Sequence, residues 1–224
     1  MEDKEQEPQQ MNLFEKYAIP YYMASFSYLT IWAIHLTTNE PAYSCAFILS
    51  LIYFGRFFPN DSYPILHSRA NNRNIFQVFP MVSHILLTWT TLAYVFVTYP
   101  FKDYTQIQCV QAFLALVYTV PGSLDAAHEL IHRPQWAFRA LGFANMAVFQ
   151  FSVYPIEHIY LHHKHVGSQK DPITSPVNQN FYRYLFNAYF SAHKFVFNWS
   201  KKAFSVCLAA NWFFLGGMIL YAFN

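Results

Sequence analysis

Five apolar stretches restrict this chain more than any other feature of it: residues 17–37, 41–58, 77–99, 105–127 and 203–223. Each approaches the roughly 20 residues that a helix needs to cross a bilayer. Lipid offers no water to unpaired N–H and C=O groups, so the spanning elements are expected to be helices. The second stretch is short, and the fourth is diluted by Thr105, Gln106 and Gln108. Composition agrees with membrane burial. Charged residues make up 12% of the chain, about half the share usual in a soluble domain. Mean hydropathy is only +0.14. The 17 tyrosines hold it down, although their rings suit the membrane interface. The expected fold is all-α and multi-pass, with four to five transmembrane helices and a cytoplasmic histidine-rich cap.

The organisation follows from what lies between these stretches. Residues 1–16 read as a flexible polar tail, and residues 17–224 as one membrane-embedded domain. The acidic start lacks the basic and apolar regions of a signal peptide, so the first span is expected to act as an uncleaved anchor. Residues 38–40 and 100–104 are tight connections, whereas 59–76 and 128–202 are longer and polar. One further apolar run, 137–156, either dips into the membrane or lies on its surface. Pro121-Gly122 should loosen the fourth helix. With the N-terminus in the cytoplasm and five spans threaded, every lysine and arginine except Lys102 falls on one side. This positive-inside bias places the histidine clusters on the cytoplasmic face, at the endoplasmic reticulum in a eukaryote or the inner membrane in a bacterium. No basic stripe is interleaved with stacking aromatics, which excludes nucleic acid as a partner. Cys45, Cys109 and Cys207 lie apart in apolar stretches and read as small buried hydrophobes.

Ten histidines are present, and six of them crowd into two segments. The first is HELIH, with His128 and His132. Residues four apart on an α-helix lie about 40° apart around the axis, so both imidazoles share a face. The second is EHIYLHHKH, with His158, His162, His163 and His165. On an α-helix His158 and His162 share a face, and His163 turns about 100° away, toward a second metal. Imidazole suits zinc, iron, copper and nickel alike. HELIH alone fits a zinc protease with Glu129 as general base. A catalytic zinc takes about three protein ligands, so five histidines favour two metals. The remaining histidines have blander readings. His84 lies inside the third stretch, where hydrogen bonding to a neighbouring helix is expected. His35 and His67 lie near span ends or loops. His193 sits in FNAYFSAHKFVFNW, which reads as an interfacial helix.

HELIH, an apolar stretch and then EHIYLHHKHVGSQKDP together resemble the membrane alkane hydroxylases, within the wider fatty acid desaturase and hydroxylase superfamily. Their pattern is HELxHK followed by EHxxxHHxxVxTxxDP. Here Glu157, His158, His162, His163, Val166, Asp171 and Pro172 match at identical spacing, while Arg133 replaces a lysine and Ser168 a threonine. The resemblance implies two non-haem iron ions (Fe2+/Fe3+) held by His128, His132, His158, His162 and His163. Glu157 and Asp171 would orient imidazoles through their free N–H groups. Asp125 and Glu129 either share that role or are simply solvated. No catalytic residue is implied beyond the metal centre. The implied activity is hydroxylation or desaturation of an alkyl chain. The implied partners are O2, a lipid or alkane entering from the bilayer, and an electron donor of the rubredoxin or cytochrome b5 type. The family pattern has two further boxes, like NYxEHYG and HSDHH, for which these residues hold no counterpart. Three expectations follow: a piece of a longer chain, a second polypeptide that completes the site, or a non-catalytic paralogue.

Overall fold

A computed structural model describes residues 19–55, 75–98 and 103–222. The expected tail, most of the 59–76 connection and His67 lie outside the described residues. Those residues are helical with no strand among them, and the fold is an all-α, multi-pass membrane fold. Three helical segments among them are long and apolar enough to span: Val78–Thr98, Gln106–Ile131 and Lys201–Leu220. At 20 to 26 residues and about 1.5 Å per residue, each reaches the ~30 Å of a hydrocarbon core. The shorter apolar helices Leu29–Thr38 and Pro41–Leu51 overlap only parts of the first two expected spans. The chain divides into two compact units, one ending at Ala126 and one beginning at Ala127.

The first unit holds α1 (Ile19–Thr38), α2 (Pro41–Gly55), α3 (Ile75–Thr98) and most of α4 (Gln106–Ile131). The tight 38–40 connection has a local cause. Asn39 takes a left-handed conformation (φ 56°), and its N–H bonds the His35 carbonyl at 2.9 Å, which closes the helix end. Pro41 then starts α2, at a position that needs no N–H partner. The Cys45 thiol donates to the Gln111 carbonyl (3.0 Å), and the Gln108 amide donates to Glu40 Oε2 (2.9 Å). α4 continues through Pro121.

The second unit holds the end of α4, α5 (Trp136–Val148), α6 (Tyr154–Glu157), a π-helical turn (His158–His162), α7 (His163–His165), α8 (Phe181–Trp199) and α9 (Lys201–Ala222). The apolar run 137–156 is not one helix. α5 has 13 residues, about 20 Å, too short to cross. Gln150 ends it in a left-handed conformation (φ 63°). The N–H of Phe151 bonds Met146 O (2.8 Å) and that of Gln150 bonds Ala147 O (3.0 Å), the paired bonds of a Schellman end. The Gln150 amide also donates to Asn211 O on α9 at 3.0 Å, which ties the turn to the span.

Close packing then fixes the segments that carry histidine. A Cβ on Gly142 would meet the Ala127 carbonyl oxygen at 2.8 Å and Ile131 Cγ2 at 2.9 Å. Glycine is what lets α5 lie directly on the last turn of α4. Behind α6, Val153, Ala192, Val196 and Cys207 form a buried cluster, with Phe143, Phe151 and Phe204 packed on it. The Ser152 hydroxyl donates to Cys207 O (2.9 Å), joining the same elements.

Candidate metal centre

All five expected histidine ligands lie in the second unit. His128 and His132 sit one turn apart on and just after the end of α4, with ring centroids 5.1 Å apart. This is the shared face that α-helical spacing predicts. The second segment departs from that expectation. Residues 158–162 form a π turn, closed by the His163 N–H bonding His158 O. A π turn takes about five residues where an α turn takes fewer, so it brings His163 round beside His158. Their Nε2 atoms lie 2.9 Å apart. On an α-helix these residues would point roughly 140° apart.

His158 is the centre of the cluster and is 5% exposed. Its Nε2 lies 2.8 Å from His128 Nε2 and 2.9 Å from His163 Nε2. One ring nitrogen carries either a proton or a lone pair, so it cannot bond both neighbours. A cation at the point of convergence would resolve the conflict, and neutral imidazole is the form that ligates. Donor atoms of His128, His132 and His158 all lie within 4.8 Å of one another. The His132 and His163 rings are 4.8 Å apart. These donors fit a metal. Burial, followed by the neighbouring His128, His163, His132 and His162, pushes the His158 pKa down to about 3. Burial, then His128 and His163, also lowers that of His132, against the charge of Glu129.

His162 takes a different partner. Its Nδ1–H donates to Asp171 Oδ2 at 2.8 Å, which leaves Nε2 with its lone pair. The loop after α7 is folded to hold this carboxylate. The Ile173 N–H donates to Asp171 Oδ1 (3.1 Å). The Thr174 hydroxyl donates to Asp171 Oδ2 and accepts from the Gly167 N–H. Gly167 has φ 77°, a region that favours glycine. The Tyr184 hydroxyl on α8 donates to Ile173 O (3.0 Å). Burial raises the Asp171 pKa, but the bonds from Thr174, His162 and Ile173 outweigh it, and the carboxyl sits below its ordinary range.

The other acids divide. Glu157 is 0% exposed, and neither carboxyl oxygen has a hydrogen-bond partner. Burial and then the Asp171 charge push its pKa up to about 7, against the pull of His162. It therefore makes no bond to an imidazole. Glu129 is exposed and acts on His132 by charge. Asp125 is exposed and belongs to the first unit. His165, outside the expected ligand set, uses its carbonyl to accept from Ser168. His193 Nδ1–H donates to Tyr189 O within its own helix (2.8 Å).

Two residues of the site escape sequence reasoning. Tyr154 stacks on the His158 ring at 4.8 Å and 21°. Its only signal was its place four residues before His158 on the same face. Gly142 gave none beyond being a lone glycine in an apolar helix.

Apolar spanning helices joined to a cluster of imidazoles define an integral membrane protein with a multi-histidine centre. The chain belongs to the fatty acid desaturase family, whose model matches residues 107–222, more than half of its length. Three curated relatives are alkane monooxygenases. Alkane 1-monooxygenase 2 of Pseudomonas aeruginosa is 32% identical over 89 residues, covering 39% of this chain and 23% of that protein. Alkane 1-monooxygenase 1 of the same organism is 31% identical over 87 residues, covering 38% and 22%. Alkane 1-monooxygenase 2 of Alcanivorax borkumensis is 28% identical over 92 residues, covering 40% and 24%. The chain thus spans about a quarter of the length of these relatives.

Proposed function

We propose that this chain carries the first part of a di-iron centre in a membrane monooxygenase, one that hydroxylates or desaturates an alkyl chain of a lipid or alkane with O2. The observation that carries the reading is the meeting of His128, His158 and His163 at their Nε2 atoms, with His132 beside them. Family membership and the similarity to alkane 1-monooxygenases support it. His128, His132, His158, His162 and His163 would hold the iron. Further donors come from outside these residues, as in a second polypeptide that completes the site.

Iron, when held by these histidines, would supply the activation of O2 needed to insert one oxygen atom into a C–H bond. The balance is R–H, O2, two electrons and two protons giving R–OH and water. A donor of the rubredoxin or cytochrome b5 type provides the electrons. The chain's own residues position and exclude. Asp171 fixes the His162 tautomer, leaving its Nε2 free to bind. Tyr154 covers one face of the His158 ring. Burial keeps His158 neutral down to about pH 3. In this reading the N-terminus and the histidines face the cytoplasm, and the substrate enters from the bilayer.

A single-zinc protease would use His128, His132 and His158, the three whose donor atoms cluster most tightly. A fourth imidazole at 2.9 Å and the exposure of Glu129 favour the iron reading. Metal analysis of the full chain in nanodiscs, after anaerobic loading with ferrous iron, tests it. Iron retained by the wild type and lost from the His162→Ala, His163→Ala double variant is the expected result. One zinc per chain that survives the double change overturns it in favour of a protease. No metal retained in the wild type counts against the reading and supports a non-catalytic subunit.

A further inference from the structure

α8 is the one long helix of the second unit that is not a span, and its surface divides into three faces. At about 100° per residue, Ala188, Ala192 and Val196 form one face, buried on the core cluster. Next to it runs a stripe of exposed aromatics: Tyr182, Phe186, Tyr189, Phe190 and Phe197. Phe186 and Phe190 are each 63% exposed. Beyond the stripe, on the side away from the core, lie Arg183, Asn187, Lys194 and Asn198, all exposed. An aromatic stripe this open is costly in water and marks a contact surface.

We propose that the partner of this surface is the headgroup layer of the bilayer, with anionic lipids preferred. α8 would lie in the membrane plane, its aromatic stripe against the acyl boundary and its polar face toward water. Two observations choose lipid over protein. Only Ser200 separates α8 from α9, whose segment Lys201–Leu220 is long and apolar enough to span, so the end of α8 sits at the depth where that span begins. Secondly, the aromatics are bordered by exposed cations, Arg183, Lys194, Lys201 and Lys202, and Lys201 Nζ lies 5.8 Å from the centre of the Phe197 ring. Cationic and aromatic faces side by side are what an anionic interface binds.

The consequence reaches the histidines. Tyr184 of α8 holds the loop of Asp171 through Ile173 O. Trp199 stacks on Tyr160 of the π turn at 5.0 Å and 23°. The helix that rests on lipid is thus the helix that braces the candidate centre. This inference rests on the membrane fold and not on the iron reading.

Electron paramagnetic resonance on the full, metal-free chain in nanodiscs tests it. Cys45, Cys109 and Cys207 are first replaced by alanine, and single labels are placed by Tyr182→Cys, Phe186→Cys, Phe190→Cys, Asn187→Cys and Asn198→Cys. Labels at 182, 186 and 190 should collide preferentially with O2, which concentrates in lipid, and those at 187 and 198 with a water-soluble nickel chelate. High chelate access at 182, 186 and 190 overturns the proposal, as does poor access there to both reagents, which means a protein covers the stripe. The unmodified chain gives a second measure with spin-labelled phosphatidylglycerol and phosphatidylcholine. The anionic phosphatidylglycerol should be immobilised several-fold more, and Arg183→Gln with Lys194→Gln should remove the preference. Equal immobilisation of the two lipids by the wild type overturns the anionic preference.

Discussion

The two histidine segments reach the same point by different backbone geometry. His128 and His132 stand on the end of a regular α-helix, where four-residue spacing aligns them. His158 and His163 stand five apart and align because the backbone between them is π-helical. The first segment is local: its geometry follows from helix periodicity, and only its position depends on packing, through Gly142. The second depends on the rest of its unit. Asp171 anchors His162, Tyr184 anchors the Asp171 loop, and Trp199 stacks on the turn itself. An irregular turn survives only where its surroundings determine it. One box is set by spacing and the other by its surroundings.

The largest effect is expected from removing the point where the two segments meet. His158→Ala should abolish metal retention, since both segments lose their common partner. Metal analysis checks it, and full retention would mean that the segments bind separately.

Glu157 lies at the head of the π turn and sets a pH response opposite in sign to that of His132 in the first segment. Its folded pKa is raised to about 7, so its folded form favours the proton. That contribution is complete below the ordinary carboxyl range and is lost as pH rises through about 7. The effect on the metal-free chain is on the order of 3 kcal/mol. Denaturant unfolding between pH 5 and 8.5 should show the stability of the wild type relative to Glu157→Gln falling as pH rises, because the lowered pKa values of His158 and His132 contribute alike to both chains.

Gly142→Ala probes the packing of the first segment. The new methyl would meet backbone, which cannot give way, and the expected loss is about 1–3 kcal/mol. Gly216→Ala meets nothing within 4 Å and should leave the unfolding midpoint unchanged or raise it. Asp171→Asn probes the second segment and should weaken metal binding by about 10- to 100-fold, read by competition with a chelator. The smallest effect is expected from Tyr184→Phe, a loss of about 1 kcal/mol for one hydrogen bond. A Tyr184→Phe effect as large as that of Gly142→Ala would mean that the loop contributes as much as the helix packing.

Much of the centre was legible in the residues. HELIH read as a two-ligand face because α-helical periodicity is a property of the backbone alone. The apolar runs read as spans because lipid imposes length and composition directly. The reading of EHIYLHH as an ordinary helix paired His158 with His162 and turned His163 away. The chain keeps the His158 and His162 rings stacked at 5.0 Å, but it also brings His163 against His158 and bonds His162 to Asp171. The run 137–156 looked continuous, yet it breaks at Gln150, a residue without the usual signature of a helix end.

By itself, then, the sequence determined that helices cross a membrane and that imidazoles are dense enough to bind metal. Both depend on residue type and spacing, which neighbours distant in the chain do not alter. The tertiary structure decided which imidazoles meet, where α5 stops, and which carboxylate is bonded and which is stranded. Those outcomes turn on contacts between residues far apart in the chain, such as Gln150 with Asn211 and Gly142 with Ala127, and local periodicity carries no record of them.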